Sequence, residues 1–156
     1  MWPKSQQYRH IVAYDPKLSV ANCRLYYVQA EKLDDTLLCA VLNSTVVALF
    51  KHIFGRYVGR EGSLDTEVVD VELMLVPDIR KVEGVLKTRL IEAFDRMRTR
   101  KLNALDEEFG LSDRQDLDDA VFQVMGISDA VEIMVRYSAQ RFRSARPVPS
   151  HKKSAE

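Results

Sequence analysis

Groups able to do chemistry are few and scattered in this chain. The three histidines, His10, His52 and His151, stand far from one another and lie near no cysteine or carboxylate at metal-ligand spacing. Glycines occur singly, as at Gly55, Gly59 and Gly62, without the clustered pattern that cradles a nucleotide phosphate. No serine stands in a nucleophile-elbow setting. The adjacent carboxylates Asp118 and Asp119 read as solvated charge or as a complement to a helix dipole. Nothing brings together an acid, a base and a nucleophile. Catalysis by this chain alone is therefore not expected.

The segment from Lys51 to Thr66 holds more. Lys51, Arg56 and Arg60 suit phosphates, and arginine is also the best reader of guanine in the major groove. Tyr57, Ser63, Asp65 and Thr66 add contacts for bases or sugars. On these residues alone the plainer reading is preferred: Gly59 and Gly62 turn the chain between a helix and a strand, with solvated charges around them. A second basic block holds Lys87, Arg89, Arg96, Arg98, Arg100 and Lys101 against Glu92 and Asp95. It reads as a solvated helix face, or as a footprint on phosphates, whose neutralisation releases counterions. An acidic block from Asp106 to Asp119 and a basic tail follow, and the formal net charge is zero.

Elements must position these residues, and the chain's 156 residues suffice for a real core without disulfides or metal. Cys23 and Cys39 each lie in apolar runs and read as buried thiols of a reducing cytoplasm. The longest apolar segment, Leu37 to Phe50, is interrupted by Asn43, Ser44 and Thr45 and is shorter than the roughly 20 residues that span a bilayer. A soluble cytoplasmic protein with no membrane partner is expected. The Ile, Val and Tyr content of Arg9–Tyr14 and Arg24–Gln29 predicts two strands joined by a turn. Asp34 or Asp35 then caps a helix that Gly55 stops. Alternation from Val69 to Val76 predicts a half-buried strand ending at Pro77, with a short helical turn at its start as the competitor. Asp78 is expected to cap a long helix reaching about Leu105, whose narrow apolar stripe suits a bridging element. Ser112 opens a further helix with Gln115 at the capping-box position and Gly126 past its end, and Ser128 caps a last one. The tail from Pro147 reads as disordered.

The order of these features carries a resemblance. Arg24-Leu25-Tyr26-Tyr27-Val28 leads into Leu37-Leu38-Cys39-Ala40-Val41-Leu42-Asn43-Ser44, then a helix, the glycine-containing segment, and Val68 through Val76-Pro77. This series resembles the target-recognition region of adenine-specific DNA methyltransferases of restriction–modification systems, and is similar to Type I specificity subunits. Leu117-Asp118-Asp119-Ala120-Val121-Phe122-Gln123-Val124-Met125-Gly126-Ile127 is similar to the C-terminal helical segment of such enzymes, so the resemblance spans roughly Arg9 to Phe142. Family enzymes also carry a cofactor-binding glycine loop and an Asn-Pro-Pro-aromatic motif, and this chain has no Asn-Pro pair. The resemblance therefore implies a chain without bound cofactor that grips double-stranded DNA while a separate catalytic methyltransferase domain or subunit, using S-adenosylmethionine, supplies the chemistry. Either truncation from a larger enzyme or a separate recognition subunit fits, the start close to the first strand favouring truncation.

The expected fold is α/β in the α+β sense: a small mixed-sheet recognition module (1–77), a long linking helix (78–104), a helical C-terminal segment (105–146) and a tail (147–156). The expected DNA contacts are Lys51, Arg56, Arg60, Ser63, Asp65 and Thr66, with Lys87, Arg96, Arg98 and Arg100 as backbone contacts. The rival reading is a non-catalytic interaction domain that pairs through its long helix, as in a homodimer.

Overall fold

The computed structural model describes residues 1–7, 9–17, 19–30, 32–58 and 63–144. The predicted tail from 147, and Arg60 with its flanking glycines, lie outside the described residues. The fold is α+β. Strands β1 (Trp2–Pro3) and β3 (Leu25–Tyr26) pair antiparallel, and β2 (Ser5–Gln6), β5 (Ser63–Asp65) and β4 (Arg56–Val58) form a second antiparallel sheet in that order. The helices are α1 (Asp35–Leu42), α2 (Thr45–Phe54), α3 (Val68–Glu72), α4 (Gly84–Arg98), α5 (Leu105–Glu108), α6 (Ser112–Met125) and α7 (Asp129–Ser144), with a 3-10 turn at Ile79–Lys81. Both sheets are antiparallel rather than mixed.

Several expected elements differ, each for a local reason. Arg9–Tyr14 joins no sheet, because Val12 spends its backbone groups on a side chain. Its N–H donates to Asn43 Oδ1 at 2.9 Å and its carbonyl accepts from Asn43 Nδ2 at 2.8 Å. The second expected strand shrinks to Leu25–Tyr26. Asn43 also divides the helix expected between Asp34 and Gly55. Its amide donates to the Cys39 carbonyl at 2.8 Å, which ends α1, and Ser44 is extended (ψ 161°) and caps α2. Asp34, the predicted cap, accepts from Thr36 and Leu37 N–H.

Val69 to Val76 contains no strand. Its first part is α3, closed by a capping box in which Glu67 and Asp70 bond each other's backbone N–H. Asp78 caps the 3-10 turn, and α4 begins only at Gly84, where φ is +57°. Helix α4 is not a bridge. Its stripe of Leu90, Ala93, Phe94 and Met97 is buried, and it packs chiefly on α6 and on α1. Leu90, Leu117, Ala120, Val121, Val41 and Val47 are fully buried in one core that also takes in Trp2 and Val12. Each large aliphatic so buried contributes about 1.5–3 kcal/mol. That core draws residues from all three of the expected segments, and a second small cluster joins Ala48, Leu105 and Phe109.

Gln115 makes no capping box. Its side chain donates to the Phe109 carbonyl, and Leu111 is the N-cap of α6. Gly126 ends α6 in the left-handed conformation (φ +63°), as expected. Among the described residues no single helix is long and apolar enough to cross a membrane; α1 and α2 would pass only together, and they meet at 62° within the core.

Candidate functional site

The expected contact segment is a β-hairpin. Gly55 turns the chain out of α2, and its N–H closes on the Lys51 carbonyl at 2.9 Å. Arg56, Tyr57 and Val58 then pair with Asp65, Leu64 and Ser63. Leu64 is buried and anchors the inner face, while Arg56, Tyr57 and Val58 are all exposed. The hairpin is therefore half seated on the body and half presented, with residues 59–62 joining its two strands.

The structure separates the predicted contact residues into two sets. Arg56 belongs to the presented set: its side chain is 62% exposed and one nitrogen lies 3.0 Å from Asp70 Oδ1. Ser63 and Asp65 are half-buried on the opposite strand, the Ser63 hydroxyl 3.5 Å from the Asp65 carboxylate. Tyr57 shares a 2.9 Å hydrogen bond with His52 across the α2–β4 corner.

Lys51 and Thr66 belong to the other set and are corrected. Lys51 is 1% exposed, donates to the Pro3 carbonyl at 2.9 Å, and lies 4.7 Å from the centre of the Trp2 ring. Thr66 is fully buried and accepts from Trp2 Nε1 at 3.0 Å. Neither reaches a phosphate. They form the seat of the N-terminal strands instead. Burial pushes the Lys51 ammonium down to about 7, against which the charge of Asp65 works only weakly. His10 joins this seat, its ring edge-on to Trp2 at 6.0 Å and its Nε2 2.8 Å from the Leu42 carbonyl. Burial first, and then the positive charges of Lys51 and Arg114, hold His10 well below the usual imidazole range.

The basic block on α4 is mostly spoken for. All five N–H groups of Arg100 are used: on Asp113 twice, on Glu108 twice and on the Lys101 carbonyl, at 2.7–3.2 Å. Arg100 has no donor left for DNA, and is corrected from a backbone contact to a bridge between α4, α5 and α6. Arg96 pairs with Asp116 at 2.6 Å, Arg98 with Asp95 at 2.6 Å, and Lys87 with Asp34 at 3.0 Å. These three pairs are exposed, worth at most about 1 kcal/mol each, and could be exchanged for phosphate contacts. None of their acidic partners belongs to the described hairpin strands.

Sequence reading missed a buried polar node. Asp118, expected as solvated charge or as a complement to a helix dipole, is 1% exposed. It accepts from Thr45 N–H at 2.7 Å and from the Thr45 hydroxyl at 2.5 Å, so it caps α2 from another helix. Arg114 Nε lies 3.6 Å from the same carboxylate and Arg136 at 3.9 Å. Arg136 reaches on to Asp119 at 2.5 Å and to Glu132 at 3.0 Å. The i,i+4 spacing of Arg114 and Asp118, flanking the apolar Leu117, was the available signal.

Among the described residues no group of His, Cys, Asp or Glu is placed to hold a metal ion. Of the two thiols expected to be buried, Cys23 is exposed and Cys39 is buried, and burial pushes the Cys39 thiol up to about 11, away from the nucleophilic range. Comparison with protein-family models, with curated proteins and with solved structures finds no match for this chain.

Proposed function

We propose that this chain is a DNA-recognition part of an adenine-specific DNA methyltransferase of a restriction–modification system, acting in the cytoplasm without a cofactor of its own. A catalytic domain or subunit, with S-adenosylmethionine, supplies the methyl transfer, which requires a base flipped out of the duplex into a pocket. The observation that carries the reading is the β4–β5 hairpin. It follows α2, in the order in which a glycine-containing segment follows a helix in the resembling family, and it presents Arg56 and Tyr57 on its outer strand. Arg60 lies in the sequence that joins its strands. Revised for burial, the contact set is Arg56, Arg60, Ser63 and Asp65, with Arg96 and Arg98 as outlying candidates for the DNA backbone.

The test is fluorescence anisotropy with a mixed-sequence duplex, titrated from 50 to about 200 mM salt. Binding should weaken with salt, and Arg56→Ala with Arg60→Ala should lower affinity and reduce the log–log slope by roughly 1.8, the value for two lost phosphate contacts. A thermal melt of the double variant separates lost contact from lost fold, since Arg56 also holds Asp70. No binding by the wild-type chain at low salt would sink the proposal.

A second reading rests on a specific surface. Val68, Val69, Leu73, Leu75 and Val76 are each 47–70% exposed. On α3, Asp70 and Val71 turn inward while Val68, Val69 and Leu73 turn out. An apolar strip of this kind suits a protein partner, including the catalytic domain itself or a second copy. Sedimentation of the chain with and without Leu73→Lys distinguishes self-association from a surface that stays monomeric.

A further inference from the structure

The N-terminal strands are seated on two basic side chains that no acid among the described residues touches. Lys51 Nζ has three N–H groups when charged, and its hydrogen bond goes to the Pro3 carbonyl. Because His10 Nε2 faces a carbonyl, that nitrogen carries the proton of the neutral ring. Nδ1 is then the bare nitrogen, and it is buried without a hydrogen-bond partner among the described residues. An uncharged imidazole tolerates this, whereas an imidazolium would bury an unpaired N–H. Both groups lean on Trp2, whose indole N–H is held by Thr66 on the far side.

We propose that residues 1–6 form a proton-operated latch, docked while Lys51 and His10 are neutral and released when they take up protons.

The surrounding charges leave a proton on either group poorly compensated. Asp65 on β5 favours the ammonium, but only weakly. Arg114 of α6, His52 of α2 and Lys51 itself all oppose a charge on His10. Lys4, in the segment itself, is already paired with Glu67 at 2.6 Å. On the other elements packed against α2, Asp70 of α3 is engaged by Arg56, while Glu132 and Arg136 of α7 are paired with each other. Asp35 on α1 lies at the end away from Leu42. In the docked state an ammonium on Lys51 has only the Pro3 carbonyl and the face of the Trp2 ring to stabilise it, and burial outweighs both, whereas water solvates the two groups when the segment lifts. The segment's strands are short, two residues each in β1 and β2, so its docking rests on Trp2 in the core and on the hydrogen bonds around it.

The sign follows from proton linkage. Lys51 ionises near 7 when docked and near 10.5 when free, so the released state binds more protons between those values. Opening therefore grows as pH falls from about 10.5 to 7, by up to about tenfold per unit. His10, held down when docked, extends the effect below pH 6.5.

Amide exchange on the full chain tests this, with the intrinsic chemical rate divided out at each pH. The amides of Lys4 and Thr66 bond Arg24 and Lys4 carbonyls, and that of Ala13 bonds the Met1 carbonyl, so all three report on the segment. Their opening constants should rise by up to about tenfold per pH unit from pH 9 to 7, while those of Leu90 and Leu117 stay level. Lys51→Met should flatten the response. Opening constants that are constant with pH, or that follow Leu90, would overturn the latch. Should Lys51→Met fail to fold, acrylamide quenching of wild-type Trp2, the chain's sole tryptophan, decides the matter. Quenching that increases from pH 9 to 6 at unchanged far-UV dichroism supports release, and unchanged quenching refutes it.

Discussion

Replacing Asp118 with alanine should be among the most destabilising single changes in this molecule. The carboxylate has two tasks at once. It satisfies Thr45 N–H and hydroxyl at the start of α2, and it is the acid nearest the fully buried Arg114. Removing one member of a buried ion pair costs about 3–5 kcal/mol, because the other charge stays behind uncompensated. Orphaning a buried donor costs about 1–3 kcal/mol, but these groups are in contact, so the terms overlap rather than add. We therefore expect a loss of about 3–5 kcal/mol out of a typical total of about 5–15 kcal/mol. For a domain of this size that lowers Tm by roughly 6–20 °C.

Urea denaturation followed by far-UV dichroism measures the loss directly, provided the slope m is unchanged. A companion variant tests the cause. Arg114 Nη2 is buried without a hydrogen-bond partner among the described residues, so the arginine is only partly compensated even in the native fold. Arg114→Met together with Asp118→Leu should cost less than Asp118→Ala alone, since apolar replacement of both members removes the stranded charge. A loss below about 1 kcal/mol for Asp118→Ala, the range of an ordinary surface pair, would refute the reasoning. So would a double variant at least as unstable as the single one.

The α-helical half of the molecule was largely legible, because amphipathic periodicity survives whatever the helices pack against. Phe94 and Met97 belong to the apolar stripe expected on the long helix and are buried on α4, whereas Val85 of the same expected stripe is exposed and the fully buried Leu90 lay outside it. What could not be read was where side chains replace backbone partners. Arg9–Tyr14 has strand composition, but the amide of Asn43, 31 positions away from Val12, takes the place of a neighbouring strand. Lys51 was misread by type: charged residues are rarely buried unpaired, yet its spacing of four from Val47 and three to Phe54 puts it on the inward face of α2. Asp118 was misread for the converse reason. Its partner Thr45 lies 73 positions away, and no local pattern announces a cap contributed by another helix. Of the segment's candidate residues, Arg56 is exposed while Thr66 and Lys51 are buried, a division that residue type alone does not announce.

Two further predictions concern positions where the geometry is tight or charged. A Cβ at Gly55 would stand 2.5 Å from the Lys51 carbonyl oxygen and 2.9 Å from Leu64 Cδ1. Gly55→Ala should therefore cost about 1–3 kcal/mol through strain, seen as a lower urea midpoint, whereas no loss would show that the α2–β4 corner can shift freely. The second concerns acid stability. Hydrogen bonds from Arg100 hold the Asp113 carboxyl below its usual value of 3.8. A depressed folded value means that the unfolded chain takes up the proton first as pH falls, so the stabilisation is complete above about pH 5 and is lost through and below pH 3.8. Urea midpoints at pH 6 and pH 3 should show the wild-type chain losing more stability than Asp113→Asn, which lacks the titrating group and begins from a lower value. Equal losses in the two proteins would mean that the two Arg100–Asp113 hydrogen bonds contribute nothing to the fold in solution, and those two donors of the guanidinium would again be open to other partners.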